Sequence, residues 1–180
     1  GALMVHAGLE GEAVSMAKRF VDAFDRVDVD AIVTNAAGCG STIKEYGHLL
    51  RDEPAYAARA TALANKCRDI SEVLADLTPQ APRHPLRMAI AYHDACHLQH
   101  AQQVTEQPRR VLATIPDLEV REIPEAGLCC GSAGIYNLVE PNAADALGRR
   151  KLKNILTTGV DAVISSNPGC LLQLQAKSER

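Results

Sequence analysis

The sequence predicts an α/β fold of two pseudo-repeated modules, with short parallel strands flanked by helices and cysteines at the strands' C-terminal ends. Three observations carry this. Short apolar runs alternate with longer stretches of helical apolar spacing, the pattern of strand–helix–strand units. Asp30-Ala31-Ile32-Val33-Thr34 and Asp161-Ala162-Val163-Ile164-Ser165 stand at the same distance before Gly38-Cys39 and Gly169-Cys170, and each follows an amphipathic stretch, so the chain repeats itself. Hydrophobic residues make up 47% and aromatics 3%, which gives a core of Ala, Leu, Val and Ile.

The elements follow in order. Ala13 to Val27 has the apolar spacing of an amphipathic helix, and Asp30 to Thr34 reads as a buried strand. Ser41 is a candidate cap for a helix through Lys44 to Leu50, and an Ala-rich helix is expected from about Ala55 to Leu77, carrying Cys67. Thr78 to Pro85 holds three prolines and reads as a linker between modules 1–82 and 83–180. In the second module Arg87 to Tyr92 is a strand that leads into His93-Asp94-Ala95-Cys96-His97. Pro108 to Ile115 is a helix, and Leu118 to Ile123 a strand leading to Gly127-Leu128-Cys129-Cys130-Gly131-Ser132-Ala133-Gly134. Pro141 to Leu156 is a helix, because Pro suits a first helical turn. Asp161 to Ser165 then delivers Asn167-Pro168-Gly169-Cys170.

Several function classes are excluded. The net charge of −3 provides no basic face for nucleic acid. The apolar runs are far shorter than a bilayer span and no secretory signal opens the chain, so a cytoplasmic protein is expected. No Gly-x-Ser-x-Gly elbow and no Gly-x-Gly-x-x-Gly fingerprint occurs, which argues against hydrolysis and dinucleotide binding. The opening Gly1-Ala2-Leu3-Met4 has no polar leader and no convincing initiator, and reads as the start of a fragment.

Six cysteines remain to be explained: Cys39, Cys67, Cys96, Cys129, Cys130 and Cys170. A disulfide between neighbours Cys129 and Cys130 closes a strained ring, whereas adjacent thiolates can reach different metal ions of one cofactor. Cys96, Cys129, Cys130 and Cys170 each follow a predicted strand, and strand ends in an open α/β sheet share one ligand-binding edge. Their separations are neither zinc-finger nor ferredoxin spacings. Four soft thiolates suit an iron–sulfur cluster, with zinc as the main competitor.

The pattern Cys96, Cys129-Cys130-Gly131 and Asn167-Pro168-Gly169-Cys170 resembles the cysteine-rich CCG domain of heterodisulfide reductase B-type subunits and of iron–sulfur subunits of FAD-linked dehydrogenases. With Gly38-Cys39-Gly40, Lys44-Glu45-Tyr46-Gly47 and His93 to His100, the chain is similar over nearly its whole length to the glycolate oxidase iron–sulfur subunit. That resemblance implies an electron-transfer subunit of a glycolate oxidase or dehydrogenase, with a cluster of 4Fe-4S type. FAD and substrate would sit on partner subunits, quinone would be the acceptor, and membrane association would come only through the complex, at the inner face of the cytoplasmic membrane. It also implies that Cys96, Cys129, Cys130 and Cys170 bind the metal, and that Cys39 belongs to an earlier, incomplete copy. The full motif ends in Cys-x-x-Cys, but Asn167 stands at the first of those positions, so the second site has four thiolates at most. Lactate and glycerol-3-phosphate dehydrogenase relatives use similar modules. The competing readings are a zinc-binding or metal-free assembly module and a thiol-redox protein.

The remaining polar residues divide into two groups. His93 and His97 flank Cys96 and are candidates either, with Asn167, for hydrogen bonds that tune a cluster or simply for capping the turn. His100, the Lys44-Glu45-Tyr46 run and the Arg149-Arg150-Lys151 run read as solvated surface, and Cys67 as a small core residue.

Overall fold

The computed structural model describes residues 1–78 and 81–178. The chain folds into two compact units, Gly1–Ile70 and Ser71–Arg180.

In the first unit, α1 (Ala2–His6) precedes α2 (Glu10–Phe24), which buries Ala13, Ala17 and Val21 along one face. Glu10 and Glu12 in its first turn complement the helix dipole. β1 (Ile32–Thr34) leads into α3 (Ala37–Lys44), α4 (Tyr46–Leu49) and α5 (Ala57–Lys66), and β2 (Cys67–Asp69) then returns parallel to β1, Ile32 opposite Cys67. Val21, Ile32, Tyr46, Leu50 and Leu63 centre the core.

Three expectations are corrected here. The helix expected from Ala55 to Leu77 is broken by β2 and resumes as α6 (Ile70–Asp76). No Gly or Pro signals the break; pairing with the otherwise single strand β1 pulls three residues out of the helix. Cys67 is therefore a buried strand residue. Ser41 does not cap a helix start but lies within α3, its hydroxyl donating back to the Gly38 carbonyl at 3.1 Å. Tyr46 is not solvated: it is 3% exposed, with its ring edge-on to Phe20.

In the second unit β3 (Met88–His93) is the central strand, with β4 (Leu118–Arg121) on one side and β5 (Ala162–Ser165) on the other, all parallel. After β3 comes a single π turn, His97–Ala101, and then α7 (Glu106–Leu112). Between β4 and β5 lie the cysteine-bearing loop, α8 (Tyr136–Val139) and α9 (Pro141–Leu156), which spans the residues predicted for it. α10 (Pro168–Ser178) closes the unit and packs on α9. Asp161 fixes the start of β5, its carboxylate accepting from the Ala89 amide at 2.8 Å while its own amide donates to the Ala89 carbonyl at 2.8 Å.

The chain passes from β3 to one neighbour and then crosses back to the other. In such a sheet the crevice outside the strands' carboxyl ends, where the winding reverses, is the natural ligand site. β5 and β1 both feed a helix that carries a cysteine as its third residue, so the repeat extends to tertiary structure. Among the described residues no helix is long and apolar enough to cross a membrane.

Candidate metal centre

Three chain segments meet at the carboxyl end of this sheet. β3 delivers His93 and Cys96, the loop after β4 delivers Cys129 and Cys130, and the first turn of α10 delivers Cys170. The tight loop depends on Gly131, which has φ +89°, a left-handed conformation that L side chains rarely adopt. A Cβ there would also press on the Ala144 carbonyl oxygen of α9.

The sulfurs are close but unbonded. Those of Cys96 and Cys129 lie 4.0 Å apart, against about 2.05 Å in a disulfide. His93, Cys130 and Cys170 are all buried, and their ligand atoms lie within 4.8 Å of one another. All six cysteines are free thiols. The arrangement brings together the four cysteines predicted to bind metal, with His93 among them. Cys39 is exposed on α3, in the other unit.

Hydrogen bonding makes the thiols unequal. Cys130, Cys96 and the Gly131 amide, whose nitrogen is 3.3 Å from the sulfur, stabilise the Cys129 thiolate and hold its pKa far below the usual thiol range. Cys170 is pushed down to about 5, chiefly by Cys130, with His93 and the Asn167 amide contributing. Asn167 Nδ2 donates to the Cys170 sulfur at 3.2 Å. Cys96 and Cys130 are pushed up, first because each shares a hydrogen bond with the Cys129 thiolate. His97 Nδ1 lies 3.6 Å from the Cys96 sulfur. His93 is fully buried, and neither ring nitrogen meets a hydrogen-bond partner of normal geometry among the described residues.

This chemistry suits a soft or borderline metal. Two sulfurs are already biased to the anionic form that binds metal, a third and fourth adjoin them, and the buried imidazole beside them makes no hydrogen bond of normal geometry among the described residues. The residues fit an iron–sulfur cluster or zinc.

Sequence reasoning missed what supports the site. Lys151, expected on a solvated face, is fully buried, its ammonium donating to the carbonyls of Glu125 (3.0 Å) and Ala126 (2.9 Å) just before the cysteine loop. Burial lowers its pKa, while its charge is felt by Cys129, Cys130 and Asp94. Its burial was detectable, since Ala144, Gly148, Lys151 and Ile155 recur at helical spacing and form the inner face of α9. Arg109 forms a second support. Its guanidinium donates to both carboxylate oxygens of Asp94 (2.9 and 2.8 Å) and to both of Glu122 (2.8 and 2.7 Å), tying the Cys96 turn to the chain leaving β4. No local signal separates Arg109 from its neighbour Arg110. His100 is exposed as expected, yet it contacts the Gly127 carbonyl at 3.2 Å.

Comparison with known proteins agrees with this geometry. A family model described as a cysteine-rich domain, CCG, matches residues 1–44 and 90–175. The chain is 38% identical over 190 residues to the probable glycolate oxidase iron-sulfur subunit of Bacillus subtilis (strain 168), covering 100% of this chain and 41% of that protein. It is 39% identical over 151 residues to one of the subunits of the fumarate reductase (CoM/CoB) from Methanothermobacter marburgensis, covering 84% of this chain and 29% of that protein. Against the glycolate oxidase iron-sulfur subunit of Escherichia coli (strain K12) the identity is 31% over 184 residues, 97% of this chain and 43% of that one. The chain thus spans less than half the length of these relatives. Matched across both its repeats and across the segments that carry all four clustered thiols, this chain belongs to the cysteine-rich CCG domain family.

Proposed function

We propose that this chain is the cluster-bearing part of an iron–sulfur electron-transfer subunit of an FAD-linked glycolate oxidase or dehydrogenase. The observation that carries the reading is the convergence of Cys96, Cys129, Cys130 and Cys170 at one sheet edge, each close to another sulfur and none in a disulfide. The similarity to iron-sulfur subunits of glycolate oxidases supports it. The four cysteines would hold the cluster, of 4Fe-4S type, in the second of two modules, 1–82 and 83–180, with Cys39 left in the first.

When bound, the cluster supplies one-electron transfer. The chain's own residues set the conditions. The Gly131 amide and the Asn167 side chain donate to two of the sulfurs, which lowers the electron density on them. Cys130 and Cys170 are almost fully buried, which limits access of water and oxidants. FAD and the hydroxy acid would sit on partner subunits, a reading supported by the similarity to iron-sulfur subunits of glycolate oxidases. Quinone is the acceptor, and the assembly works in the cytoplasm, reaching the membrane only through the complex. The similarity to proteins named lactate utilization protein A makes lactate the alternative substrate.

A zinc site that helps assemble subunits is the second reading, favoured by the buried His93, Cys130 and Cys170 group. Anaerobic reconstitution with iron and sulfide, followed by assay of iron, labile sulfide and zinc and by EPR, separates the two. About four irons with matching sulfide per chain are expected. Stoichiometric zinc without sulfide would sink the cluster reading.

A further inference from the structure

His93 is a strong metal donor, buried at the centre, that the proposed thiolate set does not include. It ends the central strand and is 0% exposed, and neither ring nitrogen makes a hydrogen bond of normal geometry among the described residues, although the ring lies close enough to help stabilise the Cys170 thiolate. Buried polar atoms of a native protein are almost always satisfied, so two such nitrogens on one ring call for an explanation. Its ligand atom lies within 4.8 Å of the sulfurs of Cys130 and Cys170. From there, small side-chain rotations bring all three onto one ion at about 2.0–2.3 Å. Asn167 offers no competing donor, because its amide is already turned to the Cys170 sulfur as a hydrogen-bond donor.

We propose that His93 is a direct metal ligand, its imidazole nitrogen joining the Cys130 and Cys170 thiolates in one metal centre. A lone zinc or cobalt ion would take all three; in the cluster of the function proposed above, on which this assignment rests, the three residues would sit on neighbouring irons, since four-cysteine ligation gives each iron one protein ligand. The site is then a mixed sulfur–nitrogen centre. Replacing thiolate by neutral imidazole removes negative charge and shifts the reduction potential upward. The ring nitrogen away from the metal would face the interior from β3.

The test uses cobalt(II) and, separately, iron with sulfide, on the purified chain and on the variants His93→Ala, His93→Cys and His97→Ala. Cobalt(II) alone should bind with visible bands of sulfur and nitrogen donors. His93→Ala should weaken that binding by at least about 100-fold, the upper end of what loss of an outer partner costs. His93→Cys should restore the affinity with an added thiolate band, and His97→Ala, which removes only an outer contact to the Cys96 sulfur, should weaken it by no more than about 10-fold. In the iron arm, 15N-histidine labelling with pulsed EPR should show one strongly coupled nitrogen that is absent from His93→Cys. A cluster without a coupled nitrogen, together with unchanged cobalt affinity in His93→Ala, overturns the ligand assignment and leaves the cluster reading standing. Cobalt bound through nitrogen with no sulfide retained does the reverse. If folded protein holds neither metal, both fall. Should His93→Ala fail to fold, the Cys variant and the nitrogen coupling of the unmodified chain decide.

Discussion

Two copies of one strand–helix device, β1–α3 and β5–α10, serve different ends in this molecule. Cys39 and Cys170 occupy the same place, third in the helix that follows the strand. Yet Cys39 is exposed and Cys170 is 2% exposed among other thiols. The difference comes from what faces each copy. At matching register positions, Thr34 lies opposite Asp69 and Ser165 opposite His93, so one strand end presents a buried carboxylate and the other a buried imidazole. The preceding helices diverge in the same way. Phe20 of α2 stacks against Phe24, with ring centroids 4.6 Å apart, whereas the matching residue of α9 is Lys151, which holds the carbonyls ahead of the cysteine loop. A repeat fixes where a side chain stands. Its partners fix what it does.

The comparison can be broken most sharply at the two cysteines. Cys170→Ser should abolish retention of a reconstituted metal centre, while Cys39→Ser leaves metal content and visible spectrum unchanged. Equal loss in both would mean that the two copies act together.

The next contrast lies between two arginine clamps. Arg109 pairs with Asp94, whose side chain is 3% exposed, while Arg59 pairs with Asp22 and Asp25, 43% and 46% exposed. Removing one partner of a buried pair strands a charge, so Arg109→Leu should destabilise the second unit by about 3 kcal/mol in urea denaturation. It should also speed amide exchange in β3. Arg59→Leu should do little, because solvent takes over the stabilisation of exposed carboxylates.

The smallest and most discriminating effect is expected at matching helix glycines. A Cβ on Gly38 meets nothing within 4 Å, but one on Gly169 meets the Ser132 hydroxyl at 3.0 Å. Gly38→Ala should therefore raise stability by about 0.5–1 kcal/mol. Gly169→Ala should lower it, by about 1 kcal/mol at the low end of overpacking costs. Thermal denaturation of the pair would show opposite signs; shifts of the same sign would mean that α10 does not press on the cysteine loop as described.

Much of this was legible in the residues. The order of strands and helices, the internal repeat and the four-cysteine set follow from short-range pattern. Strand ends in a parallel sheet must share an edge, and Pro141 marks a helix start by its own geometry. β2 was not legible, because Cys67 to Asp69 carry no local signal that opposes helix and become a strand only through pairing with β1. Tyr46 was misread as surface because a short charged neighbourhood hid its inward position.

The sequence by itself determined which atoms could bind metal and roughly where the fold would gather them. Only the tertiary structure decided their states. The burial of Lys151 depends on carbonyls 26 and 25 residues away, and the Asp94 clamp on an arginine 15 residues on. His93 makes no hydrogen bond of normal geometry among the described residues although Ser165 stands opposite it on β5. Such facts are set by groups distant in the chain, since hydrogen bonding and desolvation act through space, and residue type at a single position does not encode them.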